Sequence, residues 1–315
     1  MSFGGKDTEM EKRLLGECKN IIPAMGQEKY KGQAGRVGVI GGSLDYTGAP
    51  YFAAISALKV GCDLSHVFCA KEAAPVIKSY SPELIVHPVL DSCNALELIK
   101  PWLPRLHSLV IGPGLGRDPQ ILDKVAKVIE HCRNETNDKK PLVIDADGLF
   151  LITEKPDIIK SYPHGAILTP NAIEFSRLAK AVLGESLTAT PSPDQYNVKM
   201  LAEALGENVV VVHKGASDII ATGDKNFAPV SCTVGGSGRR CGGQGDLLSG
   251  SVGTFYSWAI MNSCKLFPTG VVAAYAGCSL TRLCNQRAVK KYGRSTLTTD
   301  MLNEIHPVFT ELYGE

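Results

Sequence analysis

The sequence has almost no excess of either charge. Thirty-three Lys and Arg face 32 Asp and Glu over 315 residues, a formal net of +1. A balance this close leaves no basic footprint for nucleic acid or for an anionic membrane surface. No apolar run approaches the ~18–20 residues of a bilayer span. The run Met1 to Glu11 has neither the apolar core of a secretory signal nor the arginine bias of a transit peptide. The expected place is therefore the cytoplasm, with a mitochondrial form left open through a removed leader or an alternative start. Among the ten cysteines there is no CxxC pair, which sets aside a zinc site and a thioredoxin-like motif. Several, such as Cys62 and Cys278, sit in apolar runs and read as small hydrophobes of a reducing compartment. GxxxxGK[ST], HExxH and GxSxG are all missing, and Gly112-Pro113-Gly114-Leu115-Gly116 lacks the GxGxxG spacing. Internal repeats and long linkers are missing too. The loop-like stretches, Asn134 to Lys140 and Leu187 to Asp194, are too short to separate domains. One domain over 1–315 is expected, with 1–30 as a helical or partly flexible extension.

What is present is ordinary core material and unusual glycine. The chain is 44% hydrophobic and 21% charged, which excludes disorder for its bulk. Its 32 glycines exceed the usual share of ~7% and cluster, as they do where backbone approaches a ligand.

Short apolar runs alternate with helical patterns. Strands are predicted at Val37 to Ile40, Leu64 to Phe68, Leu84 to His87, Leu109 to Ile111, Leu142 to Ile144, Ala166 to Leu168 and Val209 to Val212. A hairpin is predicted from Ile219 to Thr222 and Phe227 to Ser231, turning at Gly223-Asp224. Helices are predicted at Ala49 to Val60, Ala73 to Ser79, and near 94–103, 119–133, 147–160 and 171–183, with three more from Asp246 onward. Uniformly apolar strands separated by helices imply a sheet buried on both faces, so an open, mostly parallel, three-layer α/β fold.

Such a sheet binds ligands beyond the carboxyl ends of its strands. Those ends read Gly41-Gly42-Ser43, Gly112 to Gly116, Asp145-Ala146-Asp147-Gly148, Thr169-Pro170-Asn171 and Lys214-Gly215. Glycines, carboxylates, an amide and a lysine thus converge on one rim. The sharpest segment runs from Gly235 through Gly242-Gly243-Gln244-Gly245-Asp246 into an apolar helix. Unpaired backbone N–H groups at a helix start, with glycines to admit close approach, make a phosphate site. Asp246 beside it can take a proton from an attacking hydroxyl. It can equally open the helix as a cap; Arg239 and Arg240 in the same loop favour the functional reading. Asn171-Ala172-Ile173-Glu174 has capping-box spacing, which needs no ligand, and the same pair could organise Mg²⁺ and its waters near phosphates. Asp145 and Asp147 could cap a helix or face metal or substrate. Lys214 could meet a phosphate or be an ordinary exposed end-of-strand lysine. Residues alone lead to an α/β enzyme handling a phosphorylated ligand with nucleotide and Mg²⁺.

Together, Gly35 to Gly42 with Tyr46 to Phe52, Ile111 to Arg117, Asp145 to Leu149, Leu168 to Phe175 and Gly242 to Asp246 resemble the ATP-dependent (S)-NAD(P)H-hydrate dehydratases, a ribokinase-like branch, in its animal form. The resemblance implies a ribokinase-like three-layer sandwich, a mostly parallel central sheet with helices on both faces. It implies metabolite repair by a carbon–oxygen lyase. (S)-NADH hydrate and (S)-NADPH hydrate would return to NADH and NADPH by phosphorylation of the ring hydroxyl and loss of phosphate, giving ADP and phosphate. By resemblance, Gly116, Asn171, Ala172, Ile173, Glu174, Phe175, Ser176, Arg177 and Asp246 would hold the hydrated nucleotide. Lys214, Gly215, Ala216, Ser217 and Asp218 would hold ATP. So would Gly236, Ser237, Gly238, Arg239, Arg240, Cys241, Gly242, Gly243, Gln244 and Gly245. Asp246 would be catalytic, and Glu174 would act indirectly on Mg²⁺. Bacterial relatives usually have threonine where this chain has Gln244, and use ADP. The expected partners are small molecules, not nucleic acid or membrane, with a homo-oligomer left open. Two alternatives stand beside this reading: a vitamin-precursor or sugar kinase of the same superfamily, and a non-catalytic nucleotide-binding protein.

Overall fold

The computed structural model describes residues 4–26, 28, 30–135, 139–184 and 194–314. In chain order these form α1 (Gly4–Asn20), β1 (Arg36–Ile40), α2 (Gly48–Val60), β2 (Leu64–Cys69), α3 (Ala73–Tyr80), β3 (Ile85–Pro88), α4 (Ala95–Ile99), β4 (Ser108–Ile111), α5 (Pro119–Asn134), β5 (Leu142–Ile144), α6 (Asp147–Glu154), β6 (Ala166–Leu168), α7 (Ala172–Leu183) and α8 (Gln195–Leu205). The rest are β7 (Val209–His213), β8 (Asp218–Thr222), β9 (Val230–Cys232), α9 (Gln244–Asn262), α10 (Thr269–Tyr292), α11 (Thr298–Asn303) and α12 (Ile305–Tyr313).

The nine strands form one sheet in the order β3-β2-β1-β4-β5-β6-β7-β8-β9. β1 through β7 are parallel, and β8 and β9 add an antiparallel edge. The chain winds outward from β1 to β3, then returns to pair β4 with β1 on its other side. That reversal opens a crevice beyond the ends of β1 and β4, where ligands enter such sheets.

Period-two alternation sorts the strand residues into two cores. Val37, Val39, Val110, Val143, Ile167, Val210 and Val212 face α2, α9 and α10. Ile40, Leu109, Ile111, Leu142, Ile144, Leu168, Val209 and Val211 face α5 to α8. Both layers are buried, so the short apolar runs follow directly from a sheet covered twice. In the N-terminal extension, α1 buries Leu14 and Cys18 against the α9–α10 side. None of the ten cysteines is in a disulfide, and seven are buried. Burial pushes the Cys62 and Cys69 thiols up to about 12, so they behave as hydrophobes.

The strands and the β8–β9 hairpin lie where the alternation places them, β9 starting later than predicted, at Val230. Three local readings are corrected. Helix α8 lies where no helix is expected from the sequence; Asp194, expected to end a loop, is its N-cap and accepts from the Asn197 amide at 2.9 Å. The helix predicted near 147–160 stops at Glu154, because Pro156 disfavours the helical conformation of the residue before it. From Asp246 onward there are four α-helices among the described residues rather than three. Pro307 has no N–H to give to the Asn303 carbonyl, so α11 and α12 are separate. Residues 187–193 of the expected loop from Leu187, and 136–138 of the polar stretch from Asn134, lie outside the described residues.

Candidate active site

The loops after β1, β4 and β5 are locked backbone to backbone. The Gly42 amide donates to the carbonyls of Pro113 and Gly114, each at 3.1 Å. Gly112 has φ +120°, and a Cβ there would lie 1.8 Å from the Asp145 carbonyl oxygen. Only glycine allows this approach, so the β4 loop fixes the β5 loop.

Asp145 and Asp147 are aimed apart by a tight turn between them. The Gly148 amide donates to the Asp145 carbonyl at 2.9 Å, and Ala146 has φ 48° and ψ −121°. This is the first central position of a type II′ turn, where glycine is the ordinary occupant. An alanine held there stores about 1–3 kcal/mol of strain. The strain turns Asp145 inward and Asp147 outward. Asp145 Oδ1 accepts from Thr169 Oγ1 at 2.9 Å and from Lys214 Nζ at 2.8 Å. Asp147 instead accepts from the Gly116 amide at 3.0 Å and pairs with Arg117 at 3.2 Å. Ala146→Gly should therefore stabilise the fold by about 1 kcal/mol, strain relief exceeding the added freedom of the unfolded chain. A fall in melting temperature by calorimetry would show that the backbone there carries no load.

Asn171 and Glu174 do form a capping box on α7. Asn171 Oδ1 accepts from the amides of Ile173 and Glu174, each at 3.0 Å, and the Asn171 amide donates to Glu174 Oε2 at 2.8 Å. The box does not use up Glu174: the same Oε2 lies 3.9 Å from Lys214 Nζ. Burial raises the Glu174 pKa, the Asp145 charge adds to this, and Lys214 opposes it.

Lys214, carried past the end of β7, is the cation of this centre and is not an exposed lysine. Burial would lower its pKa, but Asp145, Glu174 and Asp246 outweigh that and hold it above the ordinary value. Asp246, in the first turn of α9, is half-buried beside them. Burial raises its pKa, Asp145 and Asp147 raise it further, and Lys214 pulls it back, leaving it at about 7. A carboxyl poised there can accept a proton near neutral pH. Gly243 is the N-cap of α9, and its φ of +91° and close neighbours Phe52 and Thr298 exclude a side chain.

Two cavities meet at this centre and share Asn171. One, of about 330 Å³, is lined by Lys214, Gly215, Ala216, Asp218, Gly236 and Ser237, and by Arg240, Cys241, Gln244 and Gly245 across from them. The other, of about 300 Å³, is lined by Arg117, Ala146, Asp147, Phe150, Ile173, Glu174 and Arg177. The structure thus brings together most residues singled out from sequence. Gly116 meets them through Asp147. Ala172, Ser176, Ser217, Gly238, Gly242, Gly243 and Asp246 line neither cavity; Asp246 sits beside them, where Lys214, Asp145 and Asp147 act on its charge. Phe175 points away: it is 1% exposed and packs edge-on against His213 in the core. Arg239 also turns away, donating to the Thr296 carbonyl at 3.3 Å, while Arg240 spans the cavity mouth from the Ser237 carbonyl at 2.6 Å to that of Gly215 at 3.2 Å.

One supporting residue has no signal in the sequence. Arg282 of α10 donates to the carbonyls of Ala216 at 2.5 Å, Val234 at 3.0 Å and Gly235 at 3.3 Å, and pairs with Asp218 at 3.4 Å. Asp218 in turn accepts from the Gly215 amide at 3.0 Å. One guanidinium therefore joins both loops of the larger cavity.

Gln244 Oε1 and Thr281 Oγ1, both lining that cavity, are buried and have no hydrogen-bond partner. Unpaired buried polar atoms in a cavity wall fit a site built for a polar ligand. Among the described residues, no group of three or more His, Cys, Asp or Glu is arranged to hold a metal by itself. A Mg²⁺ at this centre would therefore take most of its ligands from phosphate and water, as that ion commonly does.

Comparison with known proteins agrees with the geometry. The NAD(P)H-hydrate dehydratase family profile matches residues 37–307. The mouse (Mus musculus) ATP-dependent (S)-NAD(P)H-hydrate dehydratase is 53% identical over 311 residues, 98% of this chain and 87% of its own. In fold, a ribokinase-like superfamily protein from Enterococcus faecalis superposes with a TM-score of 0.77 at 21% identity, covering 96% of this chain and 95% of its own. The Bacillus subtilis ADP/ATP-dependent NAD(P)H-hydrate dehydratase, co-crystallised with ATP and Mg²⁺, gives 0.69 at 22% identity over 96% of this chain and 97% of its own. Ordered motifs, a ribokinase-like sandwich and a profile spanning most of the chain agree that this chain belongs to the NAD(P)H-hydrate dehydratase family.

Proposed function

We propose that this protein repairs damaged nicotinamide cofactors, using ATP to dehydrate (S)-NADH hydrate and (S)-NADPH hydrate. The observation that carries the mechanism is Asp246, a carboxyl with a pKa of about 7 at the start of a helix and beside the Lys214 cation. The hydrate bears a hydroxyl on a ring carbon next to the ring nitrogen, and hydroxide leaves poorly. Asp246 takes the hydroxyl proton as its oxygen attacks the γ-phosphorus of ATP, and ADP departs. The N-terminal turn of α9, where Gln244 and Gly245 line the larger cavity, presents the positive end of its helix dipole to the charge that develops on the transferred group. The nitrogen lone pair then expels phosphate, and loss of a neighbouring proton restores the dihydropyridine.

In this reading the larger cavity takes ATP and the smaller, with Asn171, Ile173, Glu174 and Arg177, takes the hydrate. Mg²⁺ would neutralise ATP phosphate charge, and Glu174 would hold it through water. The fit is supported by the Glu174 carboxyl, which burial pushes up and a cation would relieve. We place the activity in one cytoplasmic domain spanning 1–315, acting on small molecules, with a homo-oligomer as the remaining expectation.

Purified (S)-NADH hydrate, Mg²⁺ and ATP should give a rise in dihydronicotinamide absorbance matched by equal phosphate release. A phosphorylated product that persists without that rise would make the protein a kinase.

A further inference from the structure

Thr281 has no role in the reaction above, yet like Gln244 it brings a buried, unpartnered oxygen to the wall of the larger cavity. It lies on α10 and is only 4% exposed, and its hydroxyl has no hydrogen-bond partner. A helical threonine commonly spends its hydroxyl on the carbonyl one turn back; this one does not. The cavity has two kinds of wall. The first turn of α9 and Lys214 supply N–H groups and positive charge, which suit phosphates. One turn further into α9, Leu248 faces the same cavity as Ala216 and Thr281. Leu248 and Gln244 are four residues apart and share a helix face, so the apolar wall continues the phosphate wall. Asp218, Arg282 and Ser237 also line the cavity but are already paired, Arg282 with Asp218 at 3.4 Å and Ser237 with Asn285 at 2.6 Å. Ala216 and Leu248 beside the unpaired Thr281 hydroxyl therefore suit a planar base with a polar edge better than a phosphate or a sugar rich in hydroxyls.

We propose that Thr281 reads the edge of the purine base of the bound nucleotide. The inference rests on the assignment of this cavity to ATP. Bound nucleotide supplies the partner that the buried hydroxyl lacks in the free protein. The residue is then a specificity determinant: it costs the ligand-free fold and contributes when the base arrives.

The test is thermal shift of the purified full chain with ATP, UTP or inorganic tripolyphosphate, for the wild type, Thr281→Val and Thr281→Ser. ATP should stabilise the wild type; no shift at all would overturn the cavity assignment itself. Thr281→Val should melt at or above the wild-type temperature without ligand, because it removes an unpaired hydroxyl. It should weaken ATP binding about tenfold, leave the tripolyphosphate shift unchanged and raise KM for ATP at constant kcat. Thr281→Ser should restore the ATP shift. An unchanged ATP shift in Thr281→Val would overturn the proposal. So would an equal loss with tripolyphosphate, which would put the contact at the phosphates, or with UTP, which would put it at the ribose.

Discussion

Asp246→Asn should lose about 10²–10⁴-fold in turnover while binding ATP as before and melting at a higher temperature. The two effects have one cause. The amide keeps the shape of the side chain but cannot take the hydroxyl proton. It also removes a carboxylate that the site is reluctant to ionise. The pKa of Asp246 in the folded protein, about 7, lies above its ordinary 3.8. Its contribution to stability is therefore present below the ordinary value and is lost as pH rises through about 7. Above that, the ionised group costs the fold about 1–3 kcal/mol, after allowing for its partial exposure. The activity of the native protein should move the opposite way, rising with pH through about 7 as the base becomes free. Turnover unchanged in the variant would remove Asp246 from the chemistry. Turnover lost with no gain in stability above pH 7 would show that the carboxyl is not held under electrostatic stress.

Lys214→Met should be damaging in every measurement. The Asp145 side chain is only 2% exposed and has Lys214 at 2.8 Å as its cation. Removing one member of a buried pair leaves an uncompensated charge and typically costs about 3–5 kcal/mol. For a chain of this size that is a fall of about 5–10 °C in melting temperature. Turnover should drop at least about 10²-fold, because a positive group beside the transferred phosphate is gone. The surviving activity carries the sharper signature. Lys214 holds the Asp246 pKa down, so without it the midpoint of the pH–rate profile should move above 7. A variant that folds, turns over normally and keeps its midpoint would return Lys214 to an ordinary lysine at the end of a strand.

The rim was legible before the structure because its signals are local. Each strand is a short apolar run, and the polar residue that follows it must stand at the carboxyl end. The start of α9 after Gly242 and Gly243 was legible for the same reason, since glycines running into an apolar stretch place a helix N-terminus at the rim; of that segment Gln244 and Gly245 line the larger cavity. The capping box at Asn171 was visible from spacing alone, but its second contact, Glu174 to Lys214, joins two strand ends that only the sheet order makes neighbours. The roles of Arg282 and Thr281 could not be read. Both look like interior positions of a helix, and what they do depends on loops more than forty residues away in sequence. Phe175 shows the converse. Its place inside a motif drew it into the site, while helical periodicity turns it to the core. Ala146 was hidden too, because nothing in Asp-Ala-Asp-Gly announces that the alanine must take a backbone conformation suited to glycine.

The Arg282 clamp has a consequence for how the protein is made. Both loops it joins, 215–218 and 234–235, precede it in the chain. During synthesis the glycine motifs, Lys214 and Asp246 therefore all leave the ribosome before the residue that joins the two loops of the larger cavity. A nascent chain stopped short of α10 would carry the glycine motifs, Lys214 and Asp246 and still lack the guanidinium that ties the two loops of that cavity together. Nucleotide can thus act on folding only late, as a ligand that favours the completed chain over any shorter one.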